Sequence, residues 1–174
     1  AARILQQKFP SLVVYILSCR KVFDERFKKA FRKYQVKGRV ISQEDNSRLK
    51  PYIYSLTKVA LCKSGTVNME LALYGIPQIV GYRVSRVTAF IAKKILNFRV
   101  RFISPVNLLV QKLIIPEFVQ GNYNEQKIFH KACRIIDLAS EKTKIKRGYA
   151  SLKNELGDKG GVERAAKEII KSII

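Results

Sequence analysis

The sequence predicts an α/β fold in which a parallel sheet carries helices on both faces. Three observations predict it: short β-rich apolar runs recur along the chain, segments with helical periodicity separate them, and the connections between them are short. Strands and helices that alternate in this way form parallel sheets with right-handed crossovers. Because ligands bind such sheets at the carboxyl ends of the strands, we expect the functional site there.

The first part of the chain supplies two of these strands. A helix is expected over residues 1–9, and the apolar run 12–17 (LVVYIL) predicts a buried strand. Over residues 22–34 apolar side chains recur at helical spacing opposite Lys and Arg, which predicts an amphipathic helix. Gly38 ends that helix, and Val40 begins a second short strand.

The alternation continues toward the carboxyl end. Asn46 and Ser47 are expected to cap a third helix that ends near residue 55. Asn124 is expected to cap a later helix, and the segment 157–161 (GDKGG) to form a hinge between the last helices. The further predicted elements are strands at 58–62 and 78–82 and helices at 65–74, 85–97, 124–138 and 162–174. With 174 residues and no internal repeat, the chain is expected to form one domain over 1–174.

The charge balance indicates anionic partners. The chain has 34 Lys and Arg residues against 13 Asp and Glu residues, a formal net charge of +21. A field of this sign attracts nucleic acid, acidic membrane surfaces and phosphorylated small molecules, and charge alone does not choose among them. Part of the excess is consistent with lysines on a solvated surface, where they cost little stability.

The remaining composition favours neither metal chemistry nor a membrane span. Cys19, Cys62 and Cys133 are widely spaced without a CxxC pair, which is typical of a reducing compartment and not of structural zinc. We therefore expect no metal site and no cofactor. His130 lies within a predicted helix and fits a helix surface better than a catalytic base. No apolar run approaches the ~18 residues of a membrane span, and no signal peptide pattern opens the chain.

The most informative stretch is 62–70 (CKSGTVNME), which leaves a predicted strand, turns, and enters a helix. Ser64 and Gly65 are small enough to let a ligand approach the backbone, and the free N–H groups at a helix start attract phosphate oxygens. Thr66 adds a hydroxyl, and Glu70 is close enough along the helix to reach a ribose. The alternative is an ordinary helix start with Glu70 as an exposed helix residue.

Three segments together resemble the carboxyl half of lipid-A-disaccharide synthases. They are 63–96 (KSGTVNMELALYGIPQIVGYRVSRVTAFIAKKIL), 102–109 (FISPVNLL) and 114–120 (IIPEFVQ), and the resemblance is strong over 58–120. The family has a Ser-Gly-Thr…Leu-Glu segment, a Val-Pro-Met/Gln-Val-Val strand, a Tyr-Arg/Lys-Val turn, and Ser-Leu-Pro-Asn and Pro-Glu-Leu-Leu-Gln motifs. Here Pro105 stands one place earlier than in most members, a form similar to that of cyanobacterial and algal relatives.

The resemblance implies a two-domain glycosyltransferase of the GT-B type. It would transfer 2,3-diacylglucosamine from UDP to 2,3-diacylglucosamine 1-phosphate with inversion, without a metal. This chain would be its carboxyl-terminal, Rossmann-like UDP-sugar-binding domain, inactive without the amino-terminal acceptor half. The resemblance assigns Ser64, Gly65 and Thr66 to the diphosphate, Glu70 to the ribose, Asn107 and Glu117 to the cleft from two loops, and Arg83 to the leaving group.

Each of the last three assignments has an alternative from the residues themselves. Asn107 could satisfy turn backbone groups, since asparagine is frequent in turns. Glu117 could be a first-turn helix acid after a proline. Arg83 could lie at a solvated strand end.

The chain from Leu71 to Pro116 contains no carboxylate, whereas it contains seven cations. These are Arg83, Arg86, Lys93, Lys94, Arg99, Arg101 and Lys112. The predicted helix 85–97 carries an apolar stripe that continues to Phe98, and a basic surface bordered in this way suits docking on an anionic bilayer. The alternative is that the stripe packs on the sheet.

The expected partners are therefore the two acylated glucosamine substrates, the amino-terminal half of the same enzyme, an anionic membrane surface and a second copy in a homodimer. The expected location is the cytoplasm, peripheral to the inner membrane, or an organelle in an alga or plant.

Two competing interpretations remain. Another enzyme that uses UDP-N-acetylglucosamine, of the peptidoglycan transferase or epimerase type, shares the Ser-Gly-x…Glu arrangement but lacks the Ser-Pro-x-Asn and Pro-Glu-Phe-x-Gln segments. A nucleic-acid-binding module would explain the charge. It should carry stacking aromatics among its cations, whereas most Phe and Tyr residues here occupy periodic apolar positions, so no specific nucleic acid is expected.

Overall fold

A computed structural model describes residues 1–83, 85, 101–157 and 160–173, except for the side chains of residues 162 and 173. The helices are α1 (Ala2–Lys8), α2 (Asp24–Lys33), α3 (Gln43–Leu56), α4 (Thr66–Leu73), α5 (Pro105–Val110), α6 (Glu125–Asp137), α7 (Ala139–Leu156) and α8 (Gly161–Ile173). The strands are β1 (Val14–Leu17), β2 (Gly38–Ile41), β3 (Ala60–Cys62), β4 (Gln78–Tyr82) and β5 (Glu117–Val119). Short 3-10 turns at Lys21–Phe23 and Gln120–Asn122 precede α2 and follow β5.

All the described strand pairs are parallel, and they form two sheets. β1 pairs with β2 in register from Val14 opposite Gly38, and β4 lies between β3 and β5. The predicted fold class, an α/β arrangement of parallel strands flanked by helices, is confirmed. Because the strands of a parallel sheet end at one edge, the segments after β3, β4 and β5 lie along a common edge.

The main core surrounds the central strand β4. Ile79 and Val80 of β4 are almost fully buried against Val106 of α5, Ile135 of α6 and Leu152 of α7. Each such side chain contributes about 1.5–3 kcal/mol by its burial. A smaller cluster of Tyr54, Leu71 and Ile76 packs against Leu17 of β1 and Ala60 of β3, and so links the two sheets.

Several predicted helix boundaries are confirmed, and one cap is wrong. Asn124 accepts from the Gln126 N–H at 2.8 Å and caps α6 as predicted. The predicted cap of α3 is displaced, because Ser42 accepts from the Asp45 N–H and starts the helix earlier than Asn46. The Asn46 side chain instead donates to the Ser18 carbonyl at 2.8 Å, which ties α3 to the end of β1.

The segment between β4 and α6 contains elements that the sequence pattern did not predict. Pro105 opens α5 at a first-turn position, the one most favourable for proline, and the Ser104 side chain caps the helix. The predicted helix 85–97 lies outside the described residues. Beyond α6, the chain continues as the 18-residue helix α7, which ends at Gly157 with a φ of +69°. Among the described residues, no helix is long and apolar enough to cross a bilayer.

Candidate functional site

The corner between β3 and α4 is not covered by any of the described residues at Gly65. β3 ends at Cys62, the chain turns through Lys63 and Ser64, and Gly65 precedes the first residue of α4. A Cβ added at Gly65 would have no described atom within 4 Å, and Thr66 is exposed. The corner therefore leaves space for a ligand directly against the backbone.

Two backbone N–H groups at this corner have no acceptor among the described residues. The Gly65 N–H donates to Asn68 Oδ1 at 2.8 Å, and the Asn68 N–H donates to the Gly65 carbonyl at 3.1 Å. The N–H groups of Thr66 and Val67 remain, as expected for the first turn of a helix. Together with the positive end of the helix dipole, they form a geometry that binds an oxyanion such as phosphate.

Ser64 is half-buried and faces the neighbouring loop. Its hydroxyl donates to the Ile103 carbonyl, so the hydroxyl hydrogen is occupied in this structure. The contact joins the corner to residues 101–104, which lead into α5. Ser64 therefore connects two parts of the site, while Gly65 and Thr66 form its open surface.

Asn107 and Glu117, which were predicted from two separate loops, lie in direct contact. Asn107 Nδ2 donates to Glu117 Oε1 at 2.7 Å. The Glu117 carboxylate also accepts from the N–H groups of Ile103 at 2.8 Å and Ser104 at 2.9 Å. The acid is thus a strand residue that holds the segment before α5, and Ile103 in turn accepts from Ser64.

The Asn107 side chain, which was expected to line a cleft, lies in the protein interior. Asn107 is 0% exposed, and protein groups fill its hydrogen-bonding positions. In addition to Glu117, its Nδ2 donates to the Ile115 carbonyl at 2.8 Å, and its Oδ1 accepts from the N–H groups of Ile114 and Ile115 at 2.8 and 3.0 Å. The side chain acts as a bridge between α5 and β5, a role close to the turn-satisfying alternative.

Glu70 lies one helical turn after Thr66 and on the same face of α4, because residues four apart in a helix are neighbours. Its Oε1 accepts from Lys50 Nζ of α3 at 2.7 Å, and its side chain is 35% exposed. Oε2 has no donor among the described residues. The lysine fixes the carboxylate and leaves one oxygen able to accept from a ligand hydroxyl.

Two cations stand at adjacent strand ends. Arg83 follows β4, is exposed, and is in no ion pair among the described residues. Lys63 follows β3, and its Nζ lies 5.9 Å from the centroid of the Tyr82 ring. Lys63 was not among the predicted site residues, although its place between a strand end and the Ser-Gly-Thr turn was a usable signal.

Gln78, Asn68 and Tyr149 form a second group that sequence reasoning missed. Gln78 and Asn68 are 0% exposed and Tyr149 is 2% exposed, and hydrogen bonds connect them below the corner. The available signal was a glutamine in an otherwise apolar strand, since a buried amide requires partners.

The remaining predicted residues are dispersed. His130 is exposed on α6 beside Phe129. Arg101 and Lys112 of the basic stretch are exposed, whereas Arg86, Lys93, Lys94 and Arg99, with the apolar stripe of the predicted helix 85–97, lie outside the described residues. In the described part of the chain, no group of three or more His, Cys, Asp or Glu residues could hold a metal ion.

Comparison with known proteins gives a consistent result. The family model described as lipid-A-disaccharide synthetase matches residues 1–173. A lipid-A-disaccharide synthase of Prochlorococcus marinus (strain MIT 9313) is 42% identical over 170 residues, which are 98% of this chain and 43% of the relative. Proteins of the same name from Gloeothece citriformis and Synechocystis sp. are 32% and 28% identical, over 98% of this chain and 43% and 42% of their own lengths. The chain spans less than half the length of these curated relatives.

Proposed function

Because the chain belongs to the lipid-A-disaccharide synthetase family, we propose that it is the UDP-sugar-binding domain of a glycosyltransferase of lipid A biosynthesis. The complete enzyme transfers 2,3-diacylglucosamine from UDP to 2,3-diacylglucosamine 1-phosphate and inverts the anomeric centre. The observation that carries the proposal is the open corner at Gly65, with the N–H groups of Thr66 and Val67 available beside it.

The diphosphate of the donor lies at this corner. The two N–H groups and the Thr66 hydroxyl donate to its oxygens, and Lys63 and Arg83 supply positive charge from adjacent strand ends. When the sugar leaves UDP, negative charge grows on the diphosphate, and fixed donors and cations at that position lower the barrier. This arrangement performs the task without a metal ion.

The nucleoside lies along α4. Glu70 Oε2 accepts from a ribose hydroxyl, and Lys50 keeps the carboxylate in place from the side of α3. Thr66 and Glu70 are separated by about 6 Å along the helix axis, a spacing compatible with a phosphate at one end and a ribose at the other.

Asn107 and Glu117 act on the site through the backbone. They hold residues 103 and 104, and Ile103 accepts from Ser64, so the corner and the loop form one unit. We assign them a positioning role in place of the direct substrate contact that the resemblance implies.

The acceptor sugar phosphate binds to the other half of the complete enzyme, so this chain alone does not catalyse transfer. Both substrates carry acyl chains, which requires access to a bilayer from the cytoplasmic side. The exposed side chains of Leu108, Leu109 and Leu113 with Arg101 and Lys112 are compatible with contact to an anionic membrane surface. A homodimer of the complete enzyme is part of the same proposal.

The test of the corner is calorimetric titration of UDP into wild type and Gly65→Val. The substitution meets open space among the described residues, and the Gly65 φ of 163° is extended backbone, so we expect the variant to fold. Its side chain covers the approach to the two N–H groups, and we expect UDP affinity to fall about tenfold or more. Gly161→Val, at the start of α8, is the matched control and should bind like wild type. Absence of UDP binding by wild type, or equal affinities for all three proteins, would contradict the proposal.

The leaving-group role of Arg83 requires a longer protein that includes the acceptor half. There Arg83→Ala should lower kcat about 100-fold or more with a smaller change in KM, because the charge it neutralises is largest in the transition state. Unchanged turnover would remove Arg83 from the mechanism.

A further inference from the structure

A chain of hydrogen bonds runs below the corner, from α7 to Gly65. The Tyr149 hydroxyl donates to the Ile76 carbonyl at 2.8 Å and accepts from Gln78 Nε2 at 3.1 Å. Gln78 Nε2 also donates to the Asn68 carbonyl at 2.9 Å, and Gln78 Oε1 accepts from Asn68 Nδ2 at 3.0 Å. Tyr149 belongs to α7, Gln78 to β4 and Asn68 to α4, so these hydrogen bonds connect a helix distant in sequence to the corner.

The hydrogen bonds that link Tyr149 to Gly65 have a fixed direction. A tyrosine hydroxyl has one hydrogen, and since Tyr149 gives it to Ile76, its oxygen is left to accept from Gln78. This places Gln78 Nε2 toward Tyr149 and the Asn68 carbonyl and leaves Gln78 Oε1 to accept from Asn68 Nδ2. Asn68 Oδ1 is then directed toward the Gly65 N–H. Reversing either amide would oppose two donors or two acceptors in a buried site, which is costly.

Burial keeps the protons of this group in place. It raises the pKa of Tyr149, and it raises the pKa of the Cys62 thiol to about 11. Cys62 Sγ lies 3.5 Å from Gln78 Oε1 and 3.1 Å from Asn68 Nδ2. Both groups are protonated at neutral pH, so the direction of the chain is stable there.

Asn68 braces the corner on both sides of Ser64. Its Oδ1 accepts from the Gly65 N–H at 2.8 Å, and its Nδ2 lies 3.2 Å from the Lys63 carbonyl. With the Gly65 N–H occupied, the Thr66 and Val67 N–H groups of the first helical turn have no acceptor among the described residues. The orientation of one buried amide therefore selects which N–H groups face a ligand.

We propose that Gln78 and Tyr149 are positioning residues for the diphosphate, which act through Asn68 by fixing the backbone of the corner. The proposal rests on the proposed function for the identity of the ligand. The bracing itself is a property of the protein without ligand, and so the two can be tested separately.

The experiment compares Tyr149→Phe with Tyr15→Phe. Tyr149→Phe keeps the buried ring and removes the hydroxyl, whereas Tyr15 is a half-buried β1 residue whose hydroxyl makes no hydrogen bond among the described residues. In the ligand-free protein, hydrogen exchange of the Gly65 N–H should be about three- to tenfold faster in Tyr149→Phe. UDP affinity should fall by a similar factor while uridine affinity is unchanged, and Tyr15→Phe should match wild type in both measurements.

Unchanged Gly65 exchange in folded Tyr149→Phe would overturn the proposal, and so would an equal loss of UDP and uridine affinity, which indicates general loosening. If Tyr149→Phe does not fold, Gln78→Met removes the amide at similar length and should give effects at least as large. If Gly65 exchange accelerates but wild type binds no UDP, the bracing is supported and the proposed function fails.

Discussion

The two sheets of this protein have the same parallel geometry and different surroundings. In β4 of the three-stranded sheet only the last residue is not buried, whereas every residue of β1 is half-buried and β2 buries only Ile41. The three-stranded sheet carries the main core on β4 and the candidate site at its carboxyl edge. The two-stranded sheet packs against the amphipathic helix α2, and Leu17 of β1 contacts the smaller cluster around Tyr54.

The polar groups of the two regions also differ. Near the three-stranded sheet the buried amides of Asn68, Gln78 and Asn107 are hydrogen-bonded on both their oxygen and nitrogen atoms. Near the two-stranded sheet, Asp24 Oδ1 and Asn46 Oδ1 are buried without a partner among the described residues. The difference indicates where geometry is fixed tightly enough to orient a ligand.

The surface beside the two-stranded sheet carries positive charge. An open groove of about 480 Å³ beside β2 is lined by Lys28, Arg32 and Arg39 together with apolar residues. Charge there attracts anions without orienting them, while the corner at Gly65 offers directed donors.

Asn107→Ala should be the most damaging of these substitutions. It removes four hydrogen bonds and leaves the N–H groups of Ile114 and Ile115 and the Ile115 carbonyl without their partner. An unsatisfied buried polar group costs about 1–3 kcal/mol, so we expect a loss of about 3 kcal/mol or more in the free energy of unfolding. Urea unfolding followed by circular dichroism measures it.

The matched control is Asn154→Ala on the exposed surface of α7, which should change the free energy of unfolding by less than about 0.5 kcal/mol. Equal losses for the two substitutions would show that the hydrogen bonds of Asn107 do not add measurably to the free energy of unfolding.

Gly38→Ala should destabilise the two-stranded sheet. A Cβ at this position would lie 2.4 Å from the Val14 carbonyl oxygen and 2.9 Å from the Phe31 ring, and the backbone oxygen cannot move without disturbing the β1–β2 pairing. We expect a loss of about 1–3 kcal/mol, measured by thermal unfolding. Gly161→Ala, where a Cβ meets only ordinary contacts, should be close to neutral, and a neutral Gly38→Ala would mean that β1 and β2 are not held together as described.

Glu141→Gln should have a smaller effect that depends on pH. The Glu141 carboxylate links α7 to Lys131 and Arg134 of α6 at 2.9 and 2.5 Å, and the hydrogen bond from Lys131 lowers the pKa of this carboxyl from its ordinary value. Since the folded pKa is the lower one, the stabilisation is complete above the unfolded value of 4.5 and disappears as the pH falls through the folded value.

We therefore expect Glu141→Gln to cost about 1 kcal/mol or less in the free energy of unfolding at pH 7. The cost should vanish at a pH where the Glu141 carboxyl of wild type is protonated in both the folded and the unfolded state. Unfolding curves from pH 7 to pH 2 measure this, with the exposed Glu155→Gln in the same helix as the control. A difference between Glu141→Gln and wild type that grows as the pH falls would contradict the assigned ion pair.

Arg39→Gln should have the smallest effect on ligand binding. The residue lies in the groove beside β2, away from the described corner, and salt screens its charge over about 8 Å at physiological ionic strength. UDP affinity measured in 0.15 M salt should therefore stay within about twofold of wild type. A loss as large as that expected for Gly65→Val would place the ligand in the groove.

The sequence pattern predicted the elements that carry strong periodicity and missed those that depend on distant partners. The apolar run 78–82 and the Asn124 cap are local signals, and both are confirmed. β5 has three residues, too few to show an alternation, and α7 is polar with Gly148 in its interior. Gly148 is explained by Ile114, which would lie 2.2 Å from a Cβ there, a contact that no local pattern reveals.

The same limit applies to the site. The Ser-Gly-Thr corner was readable because strand end, turn and helix start are consecutive in the chain. The partner of Gln78 is Tyr149, 71 residues away, and the Asn107 side chain is bonded to Ile114, Ile115 and Glu117, which follow α5 in the chain. Residue type could suggest a polar role for these side chains, whereas only the fold separates a ligand contact from a bridge.

Nitrogen–proton NMR spectra, recorded during titration with UDP and with uridine at the same concentrations, show which backbone N–H groups contact the diphosphate. We predict saturable shifts at Gly65, Thr66 and Val67 with UDP and none there with uridine, because the free N–H groups receive the diphosphate. Shifts confined to Arg32, Arg39 and their neighbours, or none at the corner at saturation, would contradict the account and leave the groove beside β2 as the binding region.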